Sequence, residues 1–234
     1  MRRIPGSVAP RFVLAVALCM ALRPVPGHAA EPPATSALSF CQPPFVHPLV
    51  IKDLLAWMSD SGDQVVTINL TDANDSNRYY GEIKTRGSGK LAPKHPLVVS
   101  TVEESEGTEK SRETVGYEYV GLTSSGLHVL RTWEEGDGTL VSTRLLFLSV
   151  EEDQGLADME IGKGDGTLRL ARKRLLLRKL GELALGDRWA GELHVDGNKI
   201  LVGRDQGQFA HNPKDIVLRL EDSAKRPGVL RPCH

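Results

Sequence analysis

Apolar and polar residues alternate through "ELHVD" (192–196), and the apolar run "ILV" (200–202) follows a Gly-Asn turn; "ELHVDGNKILVG" (192–203) is the clearest β signal in the chain. A two-residue Gly197-Asn198 loop there pairs Val195 with Ile200 and Leu193 with Val202, and sets Asp196 opposite Lys199. Apolar then meets apolar across the ladder, and side chains of one parity share a face. Similar text runs through most of the chain. "QVVTINLT" (64–71), "RYYGEIKTR" (78–86) and "HPLVVSTVEE" (95–104) read as strands, rich in β-branched or aromatic residues. "ETVGYEYVGL", "LHVLRTWEE" and "TLVSTRLLFLSVEE" (113–152) follow, separated only by "TSSG" and "GDG". Short turn clusters between such runs predict an antiparallel meander.

Two segments break this rhythm. In "PLVIKDLLAWMS" (48–59), Val50, Leu54 and Trp57 form one stripe, which Ile51, Leu55 and Met58 widen. That spacing predicts a short amphipathic helix, with Pro48 at its start and "SDSGD" at its end. Its expected use is to plug one end of a sheet or barrel. "TLRLARKRLLLRKLGELAL" (167–185) fits either a basic amphipathic helix or strand structure. The hairpin-like spacing on both sides assigns it to strand. "MEIG" (159–162) and "DIVLRLED" (215–222) read as further short strands. The expected fold is all-β: an antiparallel sandwich or barrel-like meander of about ten strands with one short N-terminal helix.

The first thirty residues belong to a different class. "MRRIPGSVAPR" is basic, "FVLAVALCMAL" is an apolar run, and "RPVPGHAA" ends in small residues. That order is a secretory signal peptide over 1–30, with cleavage after Ala29 or Ala30. The run is shorter than the roughly 20 residues that a membrane span needs. Cys19 follows Leu18 inside the apolar run, a poor match to a lipid-anchor signal, and Arg2-Arg3 lacks the rest of a twin-arginine pattern. Residues 31–47 carry prolines at 32, 33, 43 and 44 and read as an extended lead-in. A single β-domain is expected over 48–234, ending in an irregular tail.

Removing the leader changes the charge and the cysteine count. It takes away Arg2, Arg3, Arg11 and Arg23 and no carboxylate, leaving 25 Lys+Arg against 30 Asp+Glu, a net charge of −5. A mildly acidic chain is not a nucleic-acid binder by bulk charge. Of the three cysteines, Cys41 and Cys233 remain. In an oxidising compartment two such thiols are expected to pair. The alternatives are free thiols, or a metal site in which His47 or His234 joins them.

Candidate chemistry is sparse. No G-x-S-x-G, S-x-x-K, H-E-x-x-H or P-loop signature occurs; "GKGDG" (162–166) reads as a turn. Asp72, Asn74, Asp75 and Asn77 cluster oxygen donors as a Ca²⁺ loop might, but the EF-hand Gly and Glu positions hold Asn77 and Ile83. Asx-rich turns explain that text equally well. Glu192, His194 and Asp196 share one strand face and are weak metal candidates; the competing reading is the solvated side of a hairpin. Arg169, Arg172, Lys173, Arg174, Arg178 and Lys179 form a basic cluster for an anionic lipid or polymer, or else the outer positions of a solvated strand. Trp133, Trp189 and the tyrosines would make a sugar-stacking platform if exposed; Tyr117 and Tyr119 share a face and suit a core.

The expectation is therefore an exported, non-catalytic β-domain, periplasmic or extracellular, acting as a binding or structural accessory of the cell envelope. No cofactor is expected, and the mature chain should carry no transmembrane anchor. The expected partner is an envelope protein, an anionic lipid or an anionic polymer. One alternative is a carrier of a lipid or other apolar ligand, lidded by helix 48–59. Another is a secreted hydrolase with dispersed catalytic residues.

Overall fold

The computed structural model describes residues 38–56, 62–75, 79, 82–86, 95–106, 109–136, 138, 140–160, 167–206, 214–220, 230 and 233. The elements are α1 (Pro48–Ala56), β1 (Thr67–Asn69), α2 (Leu70–Asp75), β2 (Ile83–Arg86), β3 (Leu97–Glu106) and β4 (Glu109–Leu122). They continue with β5 (His128–Glu135), β6 (Val141–Glu160), β7 (Thr167–Asp187), β8 (Leu193–Asp196), β9 (Lys199–Val202) and β10 (Ile216–Arg219). The signal-peptide expectation on 1–30 lies outside the described residues, as do Trp57 and Met58 of the expected helix.

A curled seven-stranded sheet carries the structure, in the order β1-β7-β6-β5-β4-β3-β2. From β2 to β7 it is the meander that the turn spacing predicts, every pair antiparallel. β1 adds to the β7 edge, so the chain passes from one edge of the sheet to the other between β1 and β2. The second sheet, β10-β9-β8, has three strands. Its hairpin register is the one expected: Val195 opposite Ile200, Leu193 opposite Val202, Asp196 opposite Lys199. Gly197 takes a positive φ of 59°, a conformation that favours glycine. The turn is docked: Ser124 N–H donates to the Gly197 carbonyl at 3.1 Å and Ser125 N–H to Asn198 Oδ1 at 2.9 Å.

The two faces of the large sheet build two cores. On one face Tyr117, Leu130, Leu146, Leu148, Val150 and Leu177 meet Phe40, Val46, Val50, Ile51, Leu54 and Leu70 from the lead-in and the helices. α1 packs across β3 and β4, and α2 against β7. The helix thus covers a face of the sheet, whereas the sequence expectation is a plug at one end. On the other face Val129, Leu145, Phe147 and Leu185 meet Ile200 and Val202 of the small sheet. The described residues are therefore layered: helices and lead-in, large sheet, small sheet.

β7 serves both cores because its pairing with β6 slips. Phe147 pairs with Gly181 but Leu148 pairs with Lys179, so Leu180 is an extra residue, and it is exposed. Such a bulge switches which parity of residue faces which side. Leu175 and Leu177 therefore join the helix-side core, whereas Leu183 and Leu185 pack with the other.

Two local structures depart from the sequence expectation. Residues 38–46 are not simply extended: Ser39 N–H donates to the Pro44 carbonyl and Val46 N–H to the Ser39 carbonyl, both at 2.9 Å. The strand expected over 64–71 is limited to Thr67–Asn69 and gives way to α2. Asn69 caps that helix, its Oδ1 accepting from Thr71 N–H at 3.1 Å.

Candidate functional site

Cys41 and Cys233 are joined by a disulfide, Cα atoms 5.8 Å apart. It fastens the end of the chain to the lead-in beside the helix-side core, in which Phe40 and Leu230 are both 1% exposed. The histidine beside the bridge is His95, not His47. Ligand-capable atoms of Cys41, His95 and Cys233 lie within 4.8 Å of one another. No pattern of spacing links His95 to either cysteine; the β3 end of the sheet brings it there.

An aromatic cluster extends from this point. Phe40 meets Tyr117 edge-on at 5.8 Å, stacks on Tyr119 at 6.1 Å and contacts His128 at 5.2 Å. Tyr119 contacts His95 at 5.3 Å and His128 at 5.9 Å. Tyr117 and Tyr119 are thus core residues, as their shared parity suggested. Burial pushes the Tyr119 hydroxyl up to about 12 and the Tyr117 hydroxyl well above its ordinary value. Burial likewise holds the His128 imidazole down at about 4, so it is neutral at physiological pH. Tyr117 Oη donates to the Val46 carbonyl at 2.7 Å, both buried. Tyr117→Phe would orphan that carbonyl. It is expected to cost about 1–3 kcal/mol, read as a lower urea midpoint at unchanged m-value.

Outward from the lead-in lies an apolar cleft of about 400 Å³. Its walls come from the loop 43–47, from Val50 of α1, from Leu70 and Ala73 of α2, and from Tyr79 and Ile83. Tyr79 Oη donates to Asp53 Oδ2 at 3.0 Å and so closes one side against α1. Leu54 of α1 is fully buried in the core. From α1 the cleft is lined by Val50, one turn away, and not by Leu54. The lining residues of the lead-in and α2 carry no periodic signature; the one sequence hint is "PPF", which places an aromatic ring beside two prolines.

A second cleft, of about 650 Å³, lies on the opposite face of the large sheet, against the segment that enters β8. Trp133 and Arg131 of β5 and Thr143 of β6 line it from the sheet; Arg188, Trp189 and Glu192 line it from the connection. Trp133 pairs across the ladder with Gly116 and Thr143. A Cβ at Gly116 would collide with Cζ2, Cη2 and Cε2 of Trp133, so the indole lies over the β4 backbone. Arg131 pairs with Glu118 across the ladder; burial still raises the Glu118 carboxyl, with Arg131 opposing.

The remaining sequence candidates are scattered. Asp72 lies exposed on α2 and accepts from Asn69 Nδ2; the side chains of Asn74 and Asp75, and all of Asn77, lie outside the described residues. Glu192, His194 and Asp196 are exposed, with Leu193 and Val195 turned inward, the solvated-hairpin arrangement. In the basic cluster Lys173 is exposed, while Arg174 pairs with Asp153, Arg178 with Glu151 at 3.7 Å and Lys179 with Glu182 at 3.5 Å. Arg169 and Arg172 lie on β7, their side chains outside the described residues.

These features define an all-β protein with a Cys41–Cys233 disulfide and a cleft on each face of its main sheet. No protein-family model, curated protein or solved structure matches the chain. Among the described residues no helix is long and apolar enough to cross a membrane.

Proposed function

We propose that this is an exported, non-catalytic β-domain of the cell envelope that binds a slender apolar ligand, such as a single acyl chain. The ligand would lie in the cleft between α1, α2 and residues 43–47. The observation that carries the reading is the cleft: about 400 Å³, lined mainly by Leu38, Phe45, Val46, Val50, Leu70 and Ile83. Small-molecule sites typically have volumes of roughly 300–1,000 Å³, apolar walls and few polar groups. Here the side-chain polar groups are His47 and the Tyr79 hydroxyl, placed for orientation rather than chemistry. The leader-like first thirty residues and the disulfide support export.

The neutral fluorophore N-phenyl-1-naphthylamine provides the test. It is expected to bind saturably with enhanced emission, and Ala73→Trp, which fills the cleft from α2, is expected to weaken binding at least about tenfold, or roughly 1.4 kcal/mol. A folded Ala73→Trp protein that binds the probe as the parent does would remove the cleft as the site.

A further inference from the structure

We infer that the second cleft, between the large sheet and the β7–β8 connection, is a saccharide site whose floor is the Trp133 indole. The first point is orientation. Gly116 opposite Trp133 lets one face of the ring lie on the β4 backbone, and the ring is only half-buried in a cleft of about 650 Å³. Its second face is therefore presented to the cleft. A flat aromatic face is the partner of choice for the C–H face of a pyranose, since both are apolar and planar on that side. A ring with all-equatorial hydroxyls, as in gluco-configured sugars, offers such a face without a protruding oxygen.

The second point is the polar rim. Arg131, Thr143, Arg188, Glu192 and Gln206 line the same cleft. Guanidinium, carboxylate, amide and hydroxyl groups around an apolar floor match the alternating donors and acceptors of sugar hydroxyls. Arg131 is held in place by Glu118, and Arg188 stands at the turn with an unusual φ of 47°. Such backbone strain gathers at binding sites. The third point is Trp189. It is 4% exposed at the cleft wall, and its Nε1–H is buried without an acceptor among the described residues. A buried donor left unmet costs about 1–3 kcal/mol, which marks this wall as shaped for something other than packing alone.

The site is independent of the apolar cleft, which lies on the other face of the sheet, so each can fail alone. The experiment is calorimetric titration of the full mature protein with cellotetraose and, separately, chitotetraose. The two arms distinguish plain from N-acetylated glucose units. Saturable binding to at least one is expected. Trp133→Ala should weaken it at least about tenfold. Gly116→Ala should do the same although Trp133 is retained, because the ring is pushed off its seat. Both variants should keep the parent's near-UV circular dichroism and a cooperative urea transition, which shows that they are folded. Failure of both oligosaccharides to bind the parent would overturn the proposal. So would binding unchanged in folded Trp133→Ala, or a cleft that takes peptides and no oligosaccharide.

Discussion

Breaking the Cys41–Cys233 bridge is expected to lower the unfolding free energy by about 2–5 kcal/mol, the range for removing a native disulfide. The cysteines are 192 residues apart in sequence, and the chain-entropy model gives about 5 kcal/mol for so long a loop. The native side points the same way. Leu230 and Phe40, near the two cysteines, are buried in the helix-side core, so a released tail would loosen apolar contacts as well. Urea unfolding of Cys233→Ser and of the Cys41→Ser/Cys233→Ser double variant should give similar losses, because each removes the same bond. A reductant should reproduce the loss in the parent and leave the variants unchanged. A loss below about 1 kcal/mol would mean that the tail is held by packing alone.

The second large effect concerns acid. His128 is neutral and buried against Phe40 and Tyr119, with its Nδ1 unpartnered among the described residues. Its pKa falls from 6.5 to about 4 on folding. The unfolded chain therefore binds this proton more readily than the native one. The stabilisation is complete above pH 6.5 and is lost as pH falls through about 4. A shift of that size corresponds to about 3 kcal/mol. Glu118 and Glu134 act in the opposite sense, since burial raises both carboxyls and the native state binds their protons more readily. The His128 contribution is isolated by comparison with His128→Phe, which should unfold with a flatter pH dependence between pH 6.5 and 4. Identical pH profiles for the two proteins would contradict a buried neutral imidazole.

The strands were legible where one face is apolar and turns are short, as in 192–203, whose register is reproduced pair for pair. The disulfide was legible too, because a cleaved leader would leave two cysteines in an oxidising compartment. "RLLLRKLGELAL" was ambiguous for a physical reason. The extra residue Leu180 resets the period of two, so one strand supplies odd-numbered leucines to both cores and imitates a helical stripe. The helix at Leu70–Asp75 was hidden because Asn and Asp favour turns and caps alike. Neither cleft was legible. The apolar one is assembled from a loop, two helices and an edge strand, none of which marks its lining residues by period. Trp133 could be named as a stacking ring, but the glycine that turns its face outward lies across the ladder on β4.

The most direct measurement of the proposed function is methyl-detected NMR of the ¹³C-labelled protein titrated with laurate. The proposal predicts saturable shifts of the Leu38, Val46, Val50, Leu70 and Ile83 methyls that line the apolar cleft, with Val129, Leu145 and Ile200 on the opposite face unmoved. Absence of saturable shifts, or shifts confined to the opposite face, would contradict it.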